Sequence, residues 1–196
     1  CDTPFETSIG SERVMKQDIE QAKALLKEAG YNGEKVVLMH PTDIQTLSAA
    51  SQVTASLLRK LGINLEVQAM DWSTLTSRRA EKKSIEDGGW NIFHTSWIAP
   101  DLLNPVANIG VSGGGVEKAW FGWPTDAEVE ALRQDFARET DSAKQKALAD
   151  KVQARAMDVV TYVPIGQYLG KYAYREDKIK GILKGPVTFF WNIQPK

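Results

Sequence analysis

Between Val36 and Met70 the hydrophobic period changes from strand to helix and back to strand, and no other part of the chain restricts its fold as tightly. Val36-Val37-Leu38-Met39 is apolar at every position. That is the pattern of a strand buried on both faces rather than one half in water, and Pro41 is expected to stop it. From Gln45 to Leu61, the residues Leu47, Ala50, Val53, Leu57, Leu58 and Leu61 recur at spacings of three and four. This spacing puts them on one stripe of a helix, with Gln52, Arg59 and Lys60 facing away. Gly62 can take the left-handed conformation that a helix C-cap needs. Ile63, Leu65 and Val67 then alternate with Asn64, Glu66 and Gln68, the period of a strand with one covered face. A strand, a crossover helix and a second strand in so short a span predict a right-handed parallel unit and an α/β fold.

The flanking segments have to pack on that unit. Residues 1–16 carry no period and read as a loop. Asp18 is placed as an N-cap with Gln21 in capping-box register; Ala22, Leu25, Leu26 and Ala29 make the buried stripe of its helix, and Gly30 closes it. Asp71 can cap another helix, in which Trp72 and Leu75 lean on the core. Arg78, Arg79, Lys82 and Lys83, interleaved with Glu81 and Glu86, read as its solvated face. Residues 90–97 are aromatic-rich and strand-like. Residues 98–125 break every period, with prolines at 100, 105 and 124 and glycines at 110, 113, 114, 115 and 122; so long a loop in a compact domain is usually functional. Thr125 to Glu128 is a capping box opening a helix with Val129, Leu132 and Phe136 inward. Asp141 starts the next, with Leu148, Val152, Ala156 and Val159 inward. Val163 to Tyr174 returns to a strand-like pattern, and Phe189-Phe190-Trp191 implies a partner surface.

Lys and Arg number 24 against 25 for Asp and Glu, a net charge of -1, so no long-range positive field draws the chain to nucleic acid, and no such partner is expected. The one cysteine, Cys1, cannot form an internal disulfide. With only His40 and His94 beside it there is no zinc ligand set, and neither metal nor cofactor is expected. No run of about 18 apolar residues is present to span a membrane. The chain opens at Cys1 without an initiator methionine. A mature lipoprotein would begin with a lipidated cysteine, but no Ser/Gly tether follows, and a piece of something longer is the better expectation.

Gly110-Val111-Ser112-Gly113-Gly114 matches the pattern G-x-S-x-G. A nucleophile elbow needs a strand before it, a helix after it and a histidine downstream, whereas no histidine follows His94. The same glycines lack the Gly-Lys-Ser/Thr ending of a phosphate loop. His94 reads as a hydrogen-bonded core histidine. No catalytic residue is expected; the alternative to a binding role is a small-molecule-handling enzyme or sensor domain, with hydrolysis at Ser112 last. What the long loop offers is a binding surface. Trp97, Trp120, Phe121 and Trp123 supply stiff apolar faces, and Asp101, Asn104 and Asn108 supply polar anchors. The tryptophans can equally pin the loop to the core.

Several stretches carry a resemblance. Asp18-Ile-Glu-Gln-Ala-Lys-Ala-Leu-Leu-Lys-Glu-Ala-Gly30-Tyr31 resembles the D-x-x-x-A-K-x-L-L-x-E-A-G-Y helix of the peptide-type (family 5) extracellular solute-binding proteins of ABC transporters. Leu57-Leu58-Arg59-Lys60-Leu61-Gly62-Ile63, Asp71-Trp72, Trp97 with Asp101 and Pro105, Phe121-Gly122-Trp123, and the ending Tyr174-Arg175, Gly181 and Phe190-Trp191-Asn192 follow in the family's order. The resemblance implies an α/β lobe of the class II periplasmic-binding type, its mixed sheet and flanking helices built on the βαβ unit. Residues 1–174 would be a C-terminal ligand-binding lobe, and residues 175–196 a segment returning toward an N-terminal lobe missing from this chain. It implies a bacterial receptor, in the periplasm or on the outer face of the cytoplasmic membrane, that captures a peptide or other small solute between two lobes by hinge closure and delivers it to a membrane permease. The interlobe face is expected to carry Trp97, Ile98, Asp101, Asn104, Trp120 and Phe121, the aromatics stacking on the ligand and Asp101 pairing with a positive group. The chain departs from the family where peptide binders hold the peptide's amino terminus with an aspartate three residues after that tryptophan. Here the position is Pro100, and Asp101 is next; Ala119 stands where an asparagine is common. An opine, a sugar or another cationic solute therefore stays open beside a peptide.

Overall fold

β1 (Val36–Pro41) is the middle strand of a three-stranded sheet of order β2-β1-β3, in a computed structural model that describes residues 3–196; the expectations on Cys1 lie outside the described residues. β2 (Leu65–Met70) and β3 (Ile92–Phe93) both run parallel to it, with Leu38 opposite Val67 on one side and Ile92 on the other. Val37, Leu38 and Met39 are at most 1% exposed. Successive strand side chains point to opposite faces, so both faces of β1 are covered, as its unbroken apolar run predicts. The crossover from β1 to β2 is α3 (Gln45–Lys60), and the one from β2 to β3 contains α4 (Trp72–Arg78). These two cross the sheet in opposite directions, and right-handed connections then set them on opposite faces. Leu47 of α3 and Leu75 of α4 are both buried.

Pro41 closes β1 from within rather than standing after it. The N–H groups of Val36 and Thr42 donate to Asn64 O and Met70 O at 2.9 Å each, so even-numbered amides face β2. The N–H that Pro41 lacks falls on the other side, past the last paired residue of β3, and no ladder bond is lost. Gly62, at φ +83, completes the C-terminus of α3: its N–H donates to Arg59 O and that of Ile63 to Leu58 O, both at 3.0 Å, the paired bonds of a Schellman cap.

The face that α3 buries is rotated from the one its apolar residues mark. Leu47, Ser51 and Ala55 are buried, while Val53 is 71% exposed and Leu57 is also exposed. The cause is a set of polar pairs. Ser51 Oγ lies 3.0 Å from His94 Nδ1, Thr54 Oγ1 lies 2.9 Å from His94 Nε2, and Ser48 Oγ lies 3.1 Å from His40 Nε2. With both nitrogens of His94 engaged, a serine at zero exposure is satisfied and can face inward. His94 is the core histidine expected.

β3 is far shorter than residues 90–97 suggest. Asn91 takes over part of the ladder: its Oδ1 accepts the Val37 N–H at 2.7 Å, and its own N–H donates to Val37 O at 3.0 Å. After Phe93 the chain turns His94 inward, and pairing ends. The basic run is not wholly solvated either. The Arg78 guanidinium donates to Gly88 O at 3.1 Å and Gly89 O at 3.3 Å, closing the turn before β3, and Arg79 is half-buried. α2 (Ile19–Glu28) starts where expected, with Asp18 accepting the Gln21 N–H at 2.9 Å. Its apolar stripe, however, has no buried residue, and Leu25 is 56% exposed.

Lys16–Ser96 is one of two compact units; the other joins the residues up to Met15 to Trp97–Lys196. The second unit is built on a helical hairpin, α6 (Ala127–Arg138) and α7 (Ser142–Val159), which follows the single turn α5 (Gly115–Lys118). Val129, Phe136, Ala149, Val152 and Ala156 are buried in it, close to the predicted stripes. Residues before Met15 are not simply a loop: α1 (Ser11–Met15) forms, and Phe5 meets Phe136 edge-on at 5.0 Å. The predicted strand from Val163 to Tyr174 is absent, and Leu169 is 79% exposed. A β-branched, aromatic segment becomes a strand only against a neighbour, and among the described residues no strand pairs with it. The expected mixture of strand directions is divided between the units: the βαβ-based sheet is wholly parallel, and the antiparallel pair of β4 (Ile179–Lys180) with β5 (Gln194–Pro195) forms its own small sheet. Among the described residues no helix is long and apolar enough to cross a membrane.

Asp126 ties this unit together. It caps α6 by accepting the Val129 N–H at 2.8 Å, and its N–H donates to Gly113 O at 2.9 Å. The Arg155 guanidinium, 2.6 Å from its Oδ2, holds its carboxyl below the ordinary range. Asp126→Ala is expected to lower stability by about 1 kcal/mol through the lost cap, read as a shift in the urea midpoint.

Candidate functional site

The segment after Ser96 is not the formless loop its composition suggests. Ala99–Leu102 and Ile109–Val111 are short 3-10 turns, and the residues between them are shaped by two asparagines. Asn104 Oδ1 accepts the N–H groups of Val106 and Ala107 at 2.9 Å each, and Asn108 Oδ1 accepts that of Gly110 at 3.1 Å. Such side-chain turns are what Asn before Pro favours. The dipeptide Asn104-Pro105 is thus the sequence signal that marks Asn104 as a turn-former as well as a candidate anchor.

Folded this way, the segment makes an open cleft of about 230 Å³ lined by Trp97, Pro100, Asp101, Leu102, Ala107 and Ile109. Asp101 is exposed, and its carboxylate has no hydrogen bond or ion pair among the described residues. It is the one charged side chain among the residues that line the hollow. Trp97 forms part of the wall and is held from behind: its ring lies 4.7 Å from that of Trp120 and 6.5 Å from that of Tyr162, and Trp120 meets Phe121 at 5.2 Å. Gly110 is pressed against the Trp97 ring so closely that an added Cβ would come within 3.0 Å of it. Trp97 thus lines the cleft and also packs into the aromatic cluster, while Trp120 and Phe121 contribute to that cluster without lining the cleft.

Of the six candidate residues, the structure brings Trp97 and Asp101 into the cleft and sets Trp120 and Phe121 behind the first. Asn104 shapes the far wall through its turn. Ile98 is exposed at the start of the first 3-10 turn and is not part of the lining. Sequence reasoning missed Pro100, Leu102, Ala107 and Ile109, which carry no period that would have marked them, and it missed Tyr162, which lies far along the chain.

Ser112 is built into the scaffold. It is 5% exposed, its hydroxyl donates to Glu130 Oε1 at 3.1 Å, and the Gly113 N–H donates to the same oxygen at 2.8 Å. Burial pushes the Glu130 carboxyl up, but the Gly113 amide, the Arg133 guanidinium and the Ser112 hydroxyl outweigh it, leaving the group below its ordinary value and ionised. The Ser112 hydroxyl is thus a buried hydrogen-bond donor that, with the Gly113 amide and Arg133, holds Glu130. A second hollow, of about 450 Å³ between Ser77, Arg78, Ala80, Glu81, Asp87 and Gly88, belongs to the sheet unit. Its guanidinium is already spent on backbone carbonyls. Among the described residues no group of three His, Cys, Asp or Glu side chains could hold a metal ion.

The family described as bacterial extracellular solute-binding proteins, family 5 Middle, matches residues 2–116. A probable peptide ABC transporter periplasmic-binding protein, y4tO of Sinorhizobium fredii, is 41% identical over 177 residues, 90% of this chain and 33% of that protein. The di/tripeptide-binding protein 4 of Pseudomonas aeruginosa is 26% identical over 180 residues, 87% of this chain and 32% of the relative. The fold is shared with the crystal structure of a periplasmic oligopeptide-binding protein from Borrelia burgdorferi, at a TM-score of 0.72 and 22% identity over 91% of this chain and 36% of that one. The chain spans about a third of the length of the curated relatives it matches. The family is one of binding proteins rather than enzymes. On the strength of that match the chain belongs to the family 5 bacterial extracellular solute-binding proteins.

Proposed function

We propose that this chain supplies one lobe of the solute-binding component of an ABC import system. The whole protein captures a peptide or other small solute between two lobes, outside the cytoplasmic membrane, and delivers it to the membrane permease. In this reading residues 1–174 are the ligand-binding lobe and residues 175–196 return toward the second lobe, which the rest of the protein provides. The observation that carries it is the cleft: a carboxylate, Asp101, unpartnered among the described residues, lines the same hollow as the indole of Trp97 and four other apolar side chains. That combination suits a solute with a cationic group next to a small apolar body, such as a short peptide. The names of the relatives support the same class of ligand. The exposure of Phe190 and Trp191, 73% and 77%, supports a covering surface for the returning segment.

The test is calorimetric titration of the full-length protein with trialanine and with lysine-containing dipeptides. Binding is expected, and Asp101→Asn should weaken it about tenfold, since the charge-assisted pair is lost while the shape is kept. If the wild-type protein binds none of these peptides and mass spectrometry finds no solute carried through purification, the reading fails.

A further inference from the structure

The cleft owes one wall to residues 104–113, whose middle packs through Gly110 against the Trp97 ring and through Val111 against Val152 and Ala156 of α7, and whose two ends are held by hydrogen bonds. Hydrogen bonds from α6 and its cap reach both ends of the segment. Arg133 Nε donates to Pro105 O at 2.9 Å and Nη2 to Val106 O at 3.4 Å, while Nη1 lies 2.6 Å from Glu130 Oε1. The same Glu130 oxygen accepts from Ser112 and Gly113, and the Asp126 N–H adds the bond to Gly113 O. The bonds from Asn104 and Asn108 are local to the segment and give it shape without attachment. Arg133 therefore grips the segment at its start and Glu130 at its end, and the two grip each other. Ala107 and Ile109, which line the cleft, lie between the two holds.

From this geometry we propose that Glu130 and Arg133 are positioning residues for the cleft: acting as one clamp, they set the distance between the Ala107–Ile109 wall and Trp97, and so the size of solute admitted. The inference rests on the reading of the cleft as the solute site. The side chains are 26% and 14% exposed, so the pair is shielded from water more than an ordinary surface ion pair is. A guanidinium fork suits the task because three of its nitrogens serve three acceptors at once; a lysine ammonium is a single point charge on a flexible stem and cannot hold the same geometry. A hydrogen bond from a charged donor is also shorter and stronger than a neutral one. Pro105, with no N–H of its own, can be held through its backbone only at its carbonyl, and that carbonyl accepts from Arg133.

Hydrogen exchange by mass spectrometry on the full-length protein, paired with calorimetry using trialanine and trileucine, tests the clamp. Arg133→Lys and Glu130→Gln are the working variants, and Arg133→Met is the severe one. The clamp predicts about tenfold faster exchange in peptides covering 104–113 with residues 142–159 unchanged. It also predicts that the preference between the two tripeptides shifts at least threefold in Arg133→Lys, since a loosened wall changes what fits before it changes what folds. Unchanged exchange over 104–113, or equal acceleration in both regions, overturns the proposal, because the pair then serves only global stability. If exchange responds as expected while the preference is unchanged, the role in selectivity is overturned and the pair is a loop fastening alone; a wild-type protein that binds neither tripeptide and carries no solute through purification counts against the solute-binding reading instead.

Discussion

Leu38→Ala is expected to cost about 3 kcal/mol of stability, more than any other single truncation in the sheet unit. Leu38 has no exposed surface, stands at the middle of the middle strand, and is paired with Val67 and Ile92 at once. Its removal leaves a cavity that neither neighbouring strand can collapse into without abandoning the register with the other. The same truncation at Val67, on the half-buried edge strand, should cost only about 1 kcal/mol, because part of that side chain is already in water. Urea denaturation followed by circular dichroism measures both. A Leu38→Ala cost under about 1 kcal/mol, or one equal to that at Val67, would contradict the central place assigned to β1.

Stability should also rise with pH across the window just below about 6.5, the ordinary histidine value, and the residue responsible is His94. Its imidazole is 7% exposed, and burial pushes its pKa down, with the charge of His40 adding to the effect. A group that binds its proton less readily folded than unfolded makes the unfolded chain the better proton acceptor in that window. Stability is therefore complete above the unfolded pKa and is lost as pH falls toward the lowered folded value, with a slope no steeper than about 1.4 kcal/mol per pH unit for one proton. The ring nitrogens are engaged by the hydroxyls of Ser51 and Thr54 on α3, which do not titrate, and among the described residues His40 is the charged group that adds to the effect of burial. His94→Gln should remove the pH dependence of this window. It should also lower stability at pH 8 by about 1–3 kcal/mol, because Ser51 then has an imperfect partner in a place without water. Carboxylates held below their ordinary values, such as Glu130 and Asp126, act in a separate window near pH 4 and lower. A slope between pH 5 and 6.5 that persists in His94→Gln would assign the effect elsewhere.

The parts of the fold legible in the sequence are those whose partners are near in the chain or whose chemistry is local. The unbroken run at Val36–Met39, the glycine that ends α3 and the acidic caps of α2, α4, α6 and α7 each state their structure within a few residues. The orientation of α3 was not legible. Ser51 and Thr54 look like surface residues until His94, 43 and 40 positions later, supplies their bonds, and the apolar stripe of Val53 and Leu57 then points away from the sheet. The segment from Val163 to Tyr174 misled for the opposite reason, since strand propensity was present and a neighbouring strand was not. At the cleft, Trp97 and Asp101 could be picked out by residue type alone. Pro100, Leu102, Ala107 and Ile109 could not, because a wall made by an asparagine turn and two 3-10 turns follows no repeat.

The central position of β1 also bears on how fast its unit can assemble. Both strands that flank it come later in the sequence, and the Val37 amide finds its acceptor on Asn91 only 54 residues downstream. Until two long stretches of chain have closed back on it, at an entropic cost that precedes any reward, the emerging polypeptide presents a greasy ribbon with two bare edges. Acquisition of the native state here is thus a race between late-arriving partners and any foreign strand that reaches those edges first.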